Sequence, residues 1–155
     1  MNLTTSKRER PRILIVTPEI TYLPSGMGNF TQKLSAKAGG MADVSASLVA
    51  ALFEQGADVH VAMPNYRRLF HGDVFNLHEK ELRRYHESLP GTNIHLAEDR
   101  IFYYRDQVYS SSQDEAMHIA LAFQREVINN IVPRVKPDLI HCNDWMTAVI
   151  PAMAR

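Results

Sequence analysis

The stretch Lys37-Ala38-Gly39-Gly40-Met41-Ala42-Asp43-Val44 joins a cation, two residues without side chains and a carboxylate. An apolar periodicity starts at Met41 and runs through Val44, Leu48, Ala51 and Leu52, with Gly56 as a stop signal, so the spacing predicts a helix over 41–55 with Gly39 and Gly40 at its mouth. Free backbone N–H groups and the positive end of the helix dipole attract anions there. Glycine lets a ligand approach the backbone, and Lys37 adds a full charge. The pattern suits a phosphate held beside a reacting group. The same residues also read as a turn, a solvated lysine and an aspartate complementing the helix dipole.

Two apolar runs flank that helix. Arg12-Ile13-Leu14-Ile15-Val16-Thr17, bounded by Pro11 and Pro18, and Ala57 to Met63, closed by Pro64, read as buried parallel strands. Together they form a βαβ unit with a right-handed crossover. The connection from Pro18 to Gly40 is much longer than such a unit needs, and it leaves the carboxyl end of a strand, where open α/β sheets bind ligands. Further along, a helix is expected over 114–132, with Met117, Ala120, Leu121, Gln124, Val127, Ile128 and Ile131 as its core stripe and Pro133 as its stop. Lys136-Pro137 leads into a strand at 138–141, which places Asp144 and Trp145 just past its end. Asp144 there could accept sugar hydroxyls or cap a helix beginning near Met146, and Trp145 reads as a packed wall.

Four blocks carry a resemblance: Thr17-Pro18-Glu19; Lys37 to Val44; Met63-Pro64-Asn65-Tyr66-Arg67; and Leu139 to Pro151. In this order they resemble bacterial glycogen synthase and plant starch synthase. The resemblance implies an α/β fold, a doubly wound, Rossmann-like parallel sheet forming part of the N-terminal, acceptor-side domain of a two-domain GT-B glycosyltransferase. It further implies transfer of glucose from ADP-glucose or UDP-glucose to the non-reducing end of an α-1,4-glucan, with retention. Lys37, Gly39 and Gly40 match the family's Lys-Thr-Gly-Gly signature near the nucleotide phosphates, and Asp43 matches the carboxylate that follows it. Glu19 matches the acidic residue closing the first strand, Asp144 and Trp145 the Asp-Trp of a His-Asp-Trp-His block, and Tyr109 an active-site-side tyrosine. The implied catalytic residues are Lys37, Asp43 and Asp144. Substrate-binding roles fall to Glu19, Lys37, Gly39, Gly40, Tyr109 and Asp144, with no metal and no cofactor beyond the nucleotide sugar.

The sequence departs from that pattern in three ways. An insertion including Ser25-Gly26-Met27-Gly28-Asn29 precedes Lys37. Asn143 and Met146 replace the histidines flanking the Asp-Trp pair. The resembled enzymes also run roughly three times longer than a ~150-residue unit. The expected organisation is therefore a flexible basic start over 1–11 and an acceptor-side domain over 12–155, lacking the C-terminal Rossmann domain that holds most of the donor. On this reading the chain alone is inactive and prone to self-association through uncovered apolar surface.

Composition narrows the class. The 155 residues are 45% hydrophobic and 22% charged, ordinary for a globular domain, and a formal net charge of zero gives no support for nucleic-acid or anionic-membrane binding. No signal-peptide apolar region follows Lys7-Arg8-Glu9-Arg10, which Pro11 interrupts, and Cys142 is the only cysteine, as expected of a cytoplasmic protein. A polar helix is expected over 79–88, a turn at Leu89-Pro90-Gly91 and a strand over 94–97. His71, His78, His86 and His95 read as solvated or capping residues, and Ile101 to Tyr104 as packing. Two other function classes have a motif or an argument behind them. Gly26-x-Gly28 hints at a dinucleotide-binding oxidoreductase, but the third glycine of that fingerprint is Thr31. A non-catalytic carbohydrate-binding or interaction module on half of a transferase fold is the other.

Overall fold

Runs of consecutive apolar residues suit strands covered on both faces, and the first two form adjacent strands. The computed structural model, described over residues 9–28, 34–70 and 93–154, has four strands: β1 (Arg12–Val16), β2 (Asp58–Pro64), β3 (Ile94–Ala97) and β4 (Leu139–Cys142). All pairings are parallel, in the order β3-β2-β1-β4. Ile13 sits opposite both Val59 and Leu139, and Val61 opposite Ile94. The sheet grows from β1 towards β2 and β3, then reverses to place β4 on the other side of β1. With right-handed crossovers, that reversal puts helices on both faces and opens a crevice at the carboxyl ends of β1 and β4.

Helix α1 (Gly40–Glu54) joins β1 to β2 and buries Ala42, Ser45, Ala46 and Val49. It ends where Gly56 turns left-handed at φ 73°, a conformation natural to glycine, and the amide of Ala57 returns to the carbonyl of Leu52 at 3.0 Å. Short helices α2 (Arg67–Phe70) and α3 (Arg100–Tyr103) follow β2 and β3, and α4 (Gln113–Glu126) leads towards β4. Tyr66, Phe102 and Phe123 meet edge to face, with ring centroids 6.4 Å apart in each contact, tying the end of β2 to α3 and α4. Phe102 and Tyr103 are packed as expected, whereas Tyr104 is 61% exposed, because its position past α3 turns it from the core.

The long helix differs from expectation at both its face and its end. Met117 and Leu121 are exposed, whereas Ala120, Gln124, Val127 and Ile131 of the expected stripe are buried and are joined by Ile119 and Phe123. Pro133 does not stop the chain's helical course. Val127–Ile131 form a π-helical turn and α5 (Val132–Val135) carries the proline in its first turn. The wider turn relaxes the ladder where the missing N–H and the ring would otherwise press on the carbonyl of residue 129. Lys136, left-handed at φ 51°, ends the segment.

Strand β4 is an edge strand with only β1 beside it among the described residues, so Leu139 and His141 are exposed where the apolar composition of Leu139-Ile140 suggests a buried strand. Leu139, Val149 and Met153 contribute exposed apolar surface near it. His95 is not solvated. It lies buried in β3, stacked on His60 with Nε2 2.9 Å from His60 Nδ1, because parallel pairing brings both rings to one face. His71, His78, His86 and the helix and turn expected over 79–91 lie outside the described residues.

The long connection after β1 has a fixed base. Ile20 and Ala36 exchange two backbone hydrogen bonds of 2.9 Å in an isolated antiparallel bridge. Leu23, Met27 and Leu34 are buried within the loop. Ser25–Met27 form one 3-10 turn against Phe53, so no dinucleotide-binding helix opens at Gly26.

Candidate functional site

Three chain segments converge at the carboxyl ends of β1 and β4. The first follows β1, where Thr17 and Glu19 are both buried. Glu19 turns its carboxylate onto the mouth of α1, and its Oε2 accepts from the amides of Ala38 at 2.6 Å and Gly39 at 3.0 Å. These charge-assisted bonds satisfy donors that the start of α1 would otherwise leave bare. The Gly39 amide, expected to face a phosphate, is thus committed within the protein. The helix's own first amides, beginning at Gly40, remain without intrahelical partners.

The second segment carries the cation. Lys37 Nζ lies 2.8 Å from Asp43 Oδ2, and Thr21 donates to Asp43 Oδ1 at 2.6 Å. The Lys37 hydrogen bond, then that of Thr21, hold the Asp43 carboxyl below its usual range. Both partners are half exposed, and water competes with such a pair, so Lys37 can change partners readily. A Cβ built on Gly40 would meet nothing within 4 Å, and on Gly39 only Glu19 Oε1 at 4.0 Å. The protein's own packing does not require glycine at either position.

The third segment follows β4. Asp144 sits at φ 73°, unusual for a residue with a side chain. Its Oδ1 accepts from the amide of Trp145 at 2.6 Å, capping the 3-10 turn Trp145–Thr147, and its Oδ2 accepts from the Tyr109 hydroxyl at 2.5 Å. Asp144 is therefore both the cap and a member of the polar cluster. The Tyr109 oxygen also stands 3.4 Å from Glu19 Oε1. That distance is long for an O–H···O bond, so the single proton belongs to Asp144. Burial first, then the Asp144 hydrogen bond and the neighbouring negative charges, raise the Tyr109 pKa. The phenol stays protonated as a donor.

Glu19, Gly39, Tyr109 and Asp144 are thus one connected group, with Lys37, Gly40 and Asp43 at its edge. Beneath it, Asn143 donates to Ser45 at 3.0 Å and Thr17 lies 3.0 Å from the same hydroxyl, locking β4, α1 and β1 together. Sequence reasoning missed Thr21 and this Ser45 junction; only the position of Asn143 beside Asp144 signals the latter. Trp145 is half exposed rather than a packed wall, since Met146 takes the core position beside it. Tyr66 is fully buried and its hydroxyl has no hydrogen-bond partner. Burial raises its pKa, and Arg105, Glu19 and Asp144 are the charges that act on it. Among the described residues, no group of three or more His, Cys, Asp and Glu side chains could hold a metal ion.

The family model described as the starch synthase catalytic domain matches residues 12–155. The chain belongs to that family. Its four-stranded parallel sheet with flanking helices is accordingly the Rossmann-like α/β fold of a GT-B glycosyltransferase family. Glycogen synthase of Moorella thermoacetica is 34% identical over 156 residues, covering 93% of this chain and 29% of that protein. Glycogen synthase of Geotalea uraniireducens is 31% identical over 161 residues, covering 93% and 31%. Glycogen synthase 2 of Geobacter sulfurreducens is 34% identical over 140 residues, covering 77% and 28%. The chain spans under a third of the length of these curated relatives. No solved structure matches it. Among the described residues no helix is long and apolar enough to cross a membrane.

Proposed function

We propose that this starch synthase domain is the acceptor-side part of a retaining glucosyltransferase that extends an α-1,4-glucan from ADP-glucose or UDP-glucose. The observation that carries the reading is the convergence of Lys37, Glu19, Tyr109 and Asp144 on the crevice where the sheet reverses, beside a helix mouth with open space at Gly40. As the nucleotide leaves, negative charge grows on its phosphate. Lys37, released from its exposed partner Asp43, and the first amides of α1 stabilise that charge in place. Glu19 acts one step back. By holding the amides of Ala38 and Gly39 it fixes the path between Lys37 and α1. Asp144 and Asp43 orient sugar hydroxyls, and the Tyr109 hydrogen bond holds the Asp144 carboxylate in its orientation. The acceptor hydroxyl attacks from the face the nucleotide leaves, which is what retention requires.

The donor's remaining contacts are assigned to a C-terminal lobe, so residues 1–155 alone are expected to transfer no glucose. No metal or further cofactor enters this scheme. In the intact protein, Lys37→Ala should lower kcat by about 10²-fold, the scale seen when one charge-stabilising donor is lost. Glycogen affinity should change far less, because Lys37 is assigned to the leaving nucleotide. Steady-state kinetics with glycogen and each nucleotide sugar, measuring the nucleotide released, decide this; a normal kcat in Lys37→Ala would return the lysine to a solvated surface role.

A further inference from the structure

Asp144 adopts a backbone conformation that its own side chain makes costly. At φ 73° and ψ 161° it lies in a region populated essentially by glycine, and a residue bearing a Cβ stays there only where its surroundings fix it. Peptide groups are planar, so the φ and ψ of Asp144 are set once the peptide planes before and after it are held. Thr147 holds both. Its buried hydroxyl lies 3.0 Å from the Asn143 carbonyl oxygen and 2.8 Å from that of Asp144, sharing its one proton between them. Its amide also donates to the Asp144 oxygen, at 3.1 Å.

Asn143 is pinned in turn. Its amide donates to the Val16 carbonyl at 2.9 Å, tying it to the end of β1. Its side chain enters a series of hydrogen bonds whose direction follows from the number of protons in it. Thr17 gives its single hydroxyl proton to the Glu19 carbonyl at 2.9 Å, so it accepts from Ser45, 3.0 Å away. Ser45, its proton spent, accepts from Asn143 Nδ2 at 3.0 Å. Asn143 Oδ1 therefore faces His141, whose Nε2 carries the proton of their 2.8 Å contact. Thr17, Ser45 and Thr147 are all fully buried, so a partner removed here leaves a polar group bare.

This mould aims a carboxylate. With its flanking planes held, Asp144 sends Oδ2 to the Tyr109 hydroxyl at 2.5 Å. A turn of its backbone to the negative φ that ordinary residues prefer would swing the Cβ and draw the carboxylate off Tyr109. Strain of this kind concentrates at functional sites, where the geometry is worth its cost.

We propose that Thr147 and Ser45 are positioning residues of the transfer reaction, which hold Asp144 in its left-handed conformation and so fix where its carboxylate meets the sugar. The inference rests on the transferase reading above for the reaction served. It extends that reading to two buried side chains that touch no substrate.

The test uses the intact protein, isotopically labelled at the tyrosine Cζ atoms and read by NMR, with the Tyr109 signal assigned by its loss in Tyr109→Phe. Thr147→Val keeps the shape of the side chain and removes its hydroxyl. It should move the Tyr109 signal towards its position in Asp144→Ala, whereas Thr147→Ser should leave it where wild type has it. In transfer assays kcat should fall about tenfold in Thr147→Val and recover in Thr147→Ser, since an ångström of misplacement at reacting groups costs on the order of 10²-fold. Ser45→Ala should move the signal the same way with a smaller loss of kcat, and it carries the test if Thr147→Val does not fold. A Tyr109 signal that stays in place, or a fall in kcat without its movement, would overturn the positioning role. Movement of the signal in a protein that transfers no glucose would keep that role and overturn the transferase reading.

Discussion

Replacing Gly40 with alanine separates what the helix needs from what the ligand needs. At this position the backbone is helical and an added Cβ meets nothing within 4 Å, so no steric penalty opposes the change. Alanine also restricts the unfolded chain and favours the helix, a gain of about 0.5–1 kcal/mol where the conformation is compatible. At the very first helical residue the lower end applies. A domain of this size should melt roughly 1–3 °C higher for that gain. Activity should move the other way. If a phosphate oxygen approaches the first amides of α1 at about 3 Å, a methyl group there displaces it by a fraction of an ångström to an ångström, a misplacement that costs on the order of 10²-fold in rate. Thermal denaturation and steady-state kinetics on the same preparation of the intact protein give both numbers. Unaltered kinetics would show that the open space beside Gly40 is only solvent. A lower melting temperature would show that the helix mouth is packed more tightly than its geometry indicates.

Two further outcomes concern stability. Tyr66→Phe removes a buried hydroxyl without a partner, so urea denaturation should find the variant as stable as wild type or about 1 kcal/mol more stable, where an ordinary buried tyrosine would lose that much. Burial opposes ionisation of Asp58, but the Arg12 hydrogen bond at 2.7 Å and the charges of His60 and Arg12 outweigh it, leaving its carboxyl below the usual value of 3.8. A carboxylate whose pKa falls on folding contributes stability above its unfolded pKa and loses it as pH drops through the folded one. Asp58→Asn should thus be about 1 kcal/mol less stable than wild type near pH 7, and the gap should narrow as pH falls below the usual value of 3.8; a constant gap in denaturation midpoints on acidification would refute the ion pair's part.

The core of the sheet was legible because its signals are local. Proline brackets continuous apolar runs at β1 and β2, and Gly56 closes the periodic stretch of α1 where a left-handed turn is needed. What neighbours decide was not legible. Leu139 and Ile140 look like core in composition, yet an edge position leaves Leu139 exposed. Pro133 normally ends a helix, and only the preceding π turn accommodates it. At the site, family resemblance pointed to Glu19, Tyr109 and Asp144, but no periodicity or spacing says that Glu19 grips the Ala38 and Gly39 amides. That contact arises because a loop of many residues returns to its own origin. Tyr104 reads as packing in the sequence because no basic stripe lies beside it, and its exposure follows from where α3 stops.

The bridge between Ile20 and Ala36 makes the position of Lys37 independent of the contour of the loop that precedes it. Lengthening a flexible loop whose ends are already joined costs only about 0.6 kcal/mol per doubling. Because the bridge closes the loop at Ile20 and Ala36, a change of length between those two positions leaves the hydrogen-bonded neck, and with it the address of Lys37, in place. The insertion that sets this chain apart from the family pattern thus joins the domain through a neck of two hydrogen bonds.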